Sequence, residues 1–378
     1  MITVGGSGLV RRREAGAAFA RETLPNCKNA KQMQAAGPNV RHTQTGGGAR
    51  GRCLPRLLPE RWGRVEREAM KKIGLMMMAA GLAAMVAPDA SAKEMLVCGF
   101  GSNSVARYDM NGNFLGNLDS AGNLSGPLAA RMGPDGKIYV VSEGNNRIVR
   151  YSASSGAFID TFVSDAGMNS PTGVTWDKNG DMYVSSFAGS KVRKYSGATG
   201  AFLSDFVTAG SGGLSGADNG MMFGPDGNLY VPSYNNNRVI KYNGTTGAAM
   251  GNFIASVNRP RQFEWFNGVF YVASEGANAI RRFNGTTGVS LGAWMGTGAG
   301  GLNTPIGMAF GYDGFLYVGS GGTNQILKYD AVTGAFVGVF ATGNAGTFQL
   351  PAFITIIPGP GGIAVMGLAG VFAVRRRR

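Results

Sequence analysis

Reactive side chains are scarce in this 378-residue sequence, which holds one histidine and three cysteines. His42 stands alone in an Arg-rich leader, so histidine acid/base pairs and Cys/His metal spacings are ruled out for the body of the chain. Cys27 and Cys53 share that leader, which leaves Cys98 without a disulfide partner in the body. Export must therefore be read from targeting segments and not from cysteine usage. Gly-rich phosphate loops and nucleophile elbows are missing as well. Acidic residues are outnumbered, 22 against 36 Lys and Arg, for a formal charge of +14. The excess is local: residues 1–72 carry 15 basic and 5 acidic residues, Arg375 to Arg378 add four more, and residues 93–374 carry 17 and 16. The body is close to neutral, which argues against a nucleic-acid partner.

What the body has in quantity is a repeat. The frame YVVSEGNNRIVRY at residues 139–151 returns at 183–195, 230–242, 271–283 and 317–329. Each copy opens on tyrosine (Tyr139, Tyr183, Tyr230, Tyr271, Tyr317) and closes twelve residues later on an aromatic (Tyr151, Tyr195, Tyr242, Phe283, Tyr329). The openings are 44, 47, 41 and 46 residues apart, and a degenerate sixth copy spans 96–108. A period in the forties with β composition is that of propeller blades. Six copies predict an all-β, six-bladed β-propeller of four-stranded antiparallel blades.

Within a repeat, a short apolar strand A (127–132, 171–176, 219–223, 261–265, 305–310, 351–356) leads through an Asn/Asp-Gly turn into the Tyr-Val strand B. An alternating strand C follows, and a second tight turn leads to strand D (157–163, 201–207, 248–254, 289–295, 335–341). The chain enters at a strand B, from Leu96, and leaves on an unpaired strand A. The last strand is therefore expected to complete the first blade, which removes an exposed sheet edge. A basic residue before each closing aromatic (Arg107, Arg150, Lys194, Lys241, Arg282, Lys328) reads as solubilising charge on the outer rim. The D-x-N-x-D spacing at Asp177 to Asp181 has the form of a calcium loop, but Ala188 stands at the twelfth place and a hairpin turn is the better reading.

Outside the repeats, residues 1–69 lack apolar periodicity and are expected to be disordered and to lie upstream of the true start. Residues 70–92 read as a secretory signal: Met70, Lys71 and Lys72, an apolar core at 73–87, and Ala90-Ser91-Ala92 for cleavage. The propeller is expected over 93–357. A tail at 358–378 follows, with Pro358-Gly359-Pro360, an apolar run of fourteen residues and four arginines. At 1.5 Å per residue that run reaches roughly 21 Å, short of the roughly 30 Å hydrocarbon core.

Residues 170–196, SPTGVTWDKNGDMYVSSFAGSKVRKYS, resemble the NHL repeat, and the likeness covers most of 96–356. The tail resembles the PEP-CTERM class of bacterial surface-sorting signals, with Gly359 where that class has Glu. These resemblances imply export to the cell surface, with a sorting protease and the secretion machinery as partners and membrane contact only through the signal and tail. Propellers of this kind serve as lyases, lactonases and binding platforms. Relatives of the streptogramin lyase type use histidines, which the body lacks. Relatives of the gluconolactonase type hold a divalent metal such as calcium in the channel, for which strand A would supply Glu264 and Asn219 with Asp218 beside them.

Every long loop falls on one face of such a meander, with the B-to-C turns that carry Phe100, Glu143, Phe187, Tyr234 and Glu275. Arg131, Glu143, Asp218, Arg261, Glu264 and Glu275 are the candidate ligand-binding residues. Arg131, Arg261 and Glu264 are expected to form an Arg-Glu constellation at the channel mouth, either a structural plug or a receptor. No catalytic residue and no protein metal site is assigned. The expected function is a non-catalytic binding or scaffold module for an extracellular glycan or protein, with a metal-dependent lactonase or lyase as the alternative.

Overall fold

A computed structural model describes residues 93–118 and 122–359. The chain divides into two compact units, Met1–Lys71 and Lys72–Arg378, and the described residues belong to the second. The leader, the signal segment and the tail beyond Gly359 lie outside the described residues.

The chain traces six antiparallel blades in order. Strands β1 (Lys93–Gly99), β2 (Ser104–Asp109) and β3 (Phe114–Asn117) open the first. Blade two holds β4 (Pro127–Met132), β5 (Ile138–Ser142), β6 (Arg147–Tyr151) and β7 (Phe158–Ser164); blade three holds β8 (Pro171–Trp176), β9 (Met182–Ser186), β10 (Lys191–Tyr195) and β11 (Phe202–Val207). Blade four holds β12 (Met222–Phe223), β13 (Leu229–Ser233), β14 (Arg238–Tyr242) and β15 (Ala249–Ile254), and blade five holds β16 (Pro260–Phe266), β17 (Val269–Ser274) and β18 (Ala279–Asn284). Blade six holds β19 (Pro305–Phe310), β20 (Phe315–Ser320), β21 (Gln325–Asp330) and β22 (Phe336–Thr342). Strand β23 (Pro351–Pro358) then returns to pair with β1 as the innermost strand of blade one. The expected closure is present, and β23 runs one residue past the expected end of the propeller.

Two strands depart from expectation. The outer run 289–295 of blade five meets β18 in one bridge only, Phe283 to Ser290. Ser290 Oγ accepts the Gly292 N–H and Gly292 takes φ 79°, so the chain turns away from β18 at this point. The inner run 219–223 of blade four shrinks to β12, because the Asn219 N–H turns back onto Asp218 Oδ1 and leaves the ladder.

The strand B tyrosines lock neighbouring blades. Tyr139 meets Phe162 of its own blade and Trp176 of the next edge-on, with ring centroids 5.4 and 5.0 Å apart. Tyr183 and Tyr230 repeat the arrangement with Phe206 and Phe223, and with Phe253 and Trp265. Each B-to-C turn also ends on a left-handed residue whose side chain accepts a backbone N–H from the next incoming loop. Asn103 takes Gly126 N–H at 2.7 Å and Asn237 takes Arg259 N–H at 2.8 Å. Asn324 takes Leu350 N–H at 2.8 Å, so the joint that closes the ring is made like the others.

The basic residues before the closing aromatics are not free rim charges. Lys194 bridges to Asp181 at 2.9 Å, Lys241 to Asp226 at 2.7 Å, Arg150 to Asp160 at 2.5 Å and Arg107 to Glu94 at 2.8 Å. The alternation of strand C puts five of these six cations beside a carboxylate that only folding supplies, Lys328 lying 3.5 Å from Asp313, while Arg282 donates to Ala293 O at 3.4 Å. Asp177 serves as such a turn residue: its Oδ1 accepts the Asn179 and Asp181 N–H groups and its Oδ2 accepts the Tyr183 hydroxyl.

Candidate functional site

A propeller leaves the inner edge of every strand A without a neighbouring strand, so its backbone groups need partners in the channel. Two buried amides supply them. Gln262 Nε2 donates to Ile354 O at 2.9 Å, and its Oε1 accepts Met308 N–H at 3.0 Å and Ile354 N–H at 3.2 Å. Asn219 Nδ2 donates to Ala352 O at 2.8 Å. Together they stitch blades four, five, six and one across the waist of the channel. Gln262 carried no sequence signal, since one glutamine in an apolar strand does not announce which backbone edge it will meet.

Above this waist, on the long-loop face, lies a cavity of about 210 Å³. Phe100, Phe187, Leu128 and Ile306 give it apolar walls, and Arg261 and Glu143 reach into it. Arg261 Nη1 donates to Asp218 Oδ2 at 2.8 Å and its Nε donates to Glu275 Oε2, while Nη2 donates to no described residue. The Tyr234 hydroxyl donates to Glu275 Oε1 at 2.7 Å, and its ring centroid lies 4.3 Å from the Arg261 guanidinium. Arg259 Nη1 stands 3.6 Å from Glu275 Oε1. Burial works against the Arg261 charge, but Asp218 and Glu275 outweigh it and hold the guanidinium above its ordinary pKa. Burial also raises the pKa of Asp218, with Arg261 opposing. Glu143 is raised by burial and by the nearby Asp218.

Four of the six expected residues, Glu143, Asp218, Arg261 and Glu275, therefore converge at the mouth. The expected grouping of Arg261 with Arg131 and Glu264 does not form. Arg131 and Glu264 sit three residues further along β4 and β16 than the mouth residues Leu128 and Arg261, below the amide waist. Alternation along an inner strand does not say how far a given side chain lies from the mouth, and that depth separates the two groups. Burial lifts the Glu264 carboxyl to about 7, with the Phe310 N–H on its Oε2 at 3.1 Å and the Arg131 charge opposing.

The trio that the gluconolactonase resemblance implies is also split. Asp218 is engaged by Arg261, Asn219 by the waist and Glu264 by Phe310 N–H. Among the described residues no three His, Cys, Asp or Glu side chains converge as metal ligands.

No protein-family model matches the chain, and neither does any curated protein. Solved structures do resemble it in fold. One, described as the nidogen/laminin complex, is 16% identical over 71% of this chain and 99% of that one, with a TM-score of 0.54. A protein of unknown function from Bacteroides caccae is 13% identical with the same coverage and a TM-score of 0.54. A streptogramin B lyase is 16% identical over 71% of this chain and 88% of that one, with a TM-score of 0.50. These likenesses establish the propeller fold.

Proposed function

We propose that this chain is an exported, surface-sorted propeller that binds an extracellular glycan at the channel mouth without catalysing a reaction. The observation that carries the reading is the guanidinium of Arg261, held rigid by two carboxylates and a tyrosine ring, with Nη2 still available beside phenylalanine walls. Sugars are bound by this combination: fixed polar groups orient hydroxyls and aromatic faces take the C–H surface of the ring. A cavity of about 210 Å³ suits one sugar unit of a chain that continues over the loop face. The signal segment and the sorting tail would deliver such a module to the cell surface.

A glycan screen of the purified protein tests this. Phe187→Ala removes one wall and Glu143→Gln one acceptor, while the Arg261 clamp stays intact. Both variants are expected to lose at least tenfold in affinity with little change in melting temperature. Hydrolysis or ring opening of a lactone or macrocycle, at a rate that Glu143→Gln abolishes, would replace binding with the enzymatic alternative.

A further inference from the structure

Strand register places one residue of each inner strand opposite the same position of strand B. These six are Arg131 opposite Tyr139, Thr175 opposite Tyr183, Met222 opposite Tyr230, Glu264 opposite Tyr271, Ala309 opposite Tyr317 and Thr355 opposite Leu96. They form a single ring around the channel, below the waist that Asn219 and Gln262 stitch. Arg131 belongs to blade two and Glu264 to blade five, which face each other across a six-bladed ring. Thr175 and Thr355 come from the two blades beside Arg131.

The two charges in this ring are only partly engaged by the described residues. Arg131 makes no hydrogen bond to any described residue, and its Nε is buried without a partner. Its guanidinium lies over the Phe353 ring, 5.2 Å from the centroid. Glu264 keeps Oε1 unbonded while Oε2 takes the Phe310 N–H. The two groups feel each other's charge across the channel but form no ion pair. Both are enclosed by strands yet keep partial solvent exposure, so water reaches the ring. Burial pulls Arg131 down to about 10, which leaves it charged at neutral pH.

A guanidinium whose Nε is buried without a partner among the described residues, and whose other donors meet only water, offers charge-assisted bonds to an anion that displaces that water. We propose that the lower channel is a second binding site, independent of the mouth, for a small carboxylate that also carries a hydroxyl or ammonium donor. Arg131 takes the carboxylate as a charge-assisted pair, and Glu264 Oε1 accepts the donor from the opposite blade. The threonines at 175 and 355 offer hydroxyls on either side of Arg131. A 2-hydroxy acid or an amino acid has both groups; a bare carboxylate has one.

The test is titration of the full chain with glycolate, glycine and acetate, read by calorimetry and by the shift in melting temperature. Glycolate or glycine is expected to bind at least threefold more tightly than acetate. Arg131→Met is expected to abolish binding of all three, and Glu264→Leu to erase the preference over acetate. Should Arg131→Met fail to fold, carboxyl-labelled NMR of the parent serves instead. Expected there is a Glu264 resonance that titrates above 4.5 and moves when glycolate is added. A Glu264 that titrates below 4.5 and ignores glycolate would show a closed Arg131–Glu264 plug and overturn the proposal. Absence of binding by all three probes, or undiminished binding in Arg131→Met, would overturn it as well.

Discussion

Replacing Gln262 by leucine tests whether the channel waist holds the ring together. The side chain is 2% exposed and makes three hydrogen bonds, all to backbone groups of β19 and β23 that have no strand beside them. Leucine has nearly the same volume and none of the polarity, so the substitution removes the bonds with little change in packing. Each orphaned buried group costs about 2 kcal/mol, and burying leucine returns about 2 kcal/mol. The net loss is about 4 kcal/mol, which at about 2 to 4 °C per kcal/mol for a body of this size lowers Tm by about 8 to 16 °C. Calorimetry and urea unfolding measure it, with an unchanged m-value showing that the native ring stays closed. Gln262→Glu is the control. Protonated, it keeps both the donor and the acceptor; ionised, it buries a charge, so its folded pKa should be raised. Its stability relative to the parent is then fully present below the unfolded pKa and lost as pH rises through the folded one. A Gln262→Leu protein that melts within 3 °C of the parent would refute the idea that side-chain amides replace the missing inner strand.

Three further outcomes are expected. Burial holds the Glu264 carboxyl up at about 7, above its ordinary 4.5, so its contribution to stability is complete below about 4.5 and is lost as pH rises towards 7; Glu264→Gln should flatten the urea-midpoint profile across that window. Arg261→Ala leaves the fully buried Asp218 carboxylate unpaired, which should destabilise the ring by about 3 to 5 kcal/mol, and Asp218→Asn in the same chain should recover part of the loss; melting curves of the three variants decide it. Deleting residues 351–358 removes Phe353, Ile354 and Ile357 from the core, roughly 5 to 9 kcal/mol of burial and comparable to a whole domain's stability, so the truncated protein should lose its cooperative melt and bind a hydrophobic dye.

The blade count, the strand order and the closure by β23 were legible in the sequence because each rests on a short-range pattern that recurs. The Tyr-to-aromatic interval marks strands B and C, the Asn/Asp-Gly pairs demand the positive φ of tight turns, and a surplus inner strand has only the first blade to join. The Asn that ends five of the six B-to-C turns gave no sign of its purpose, since the N–H it captures belongs to the next repeat. What the tertiary structure alone decided is depth and direction in the channel. Arg131 and Arg261 look alike on paper, each an arginine in an apolar inner strand. The fold places Arg261 against Asp218 and Glu275 at the mouth and leaves Arg131 in a ring below the waist. Asp218, Glu275 and Arg261 lie up to 57 residues apart in sequence, and Glu264 faces Arg131 from the opposite blade. No local periodicity encodes such pairings, because they arise only when six blades close into a ring and bring all their inner edges to one axis.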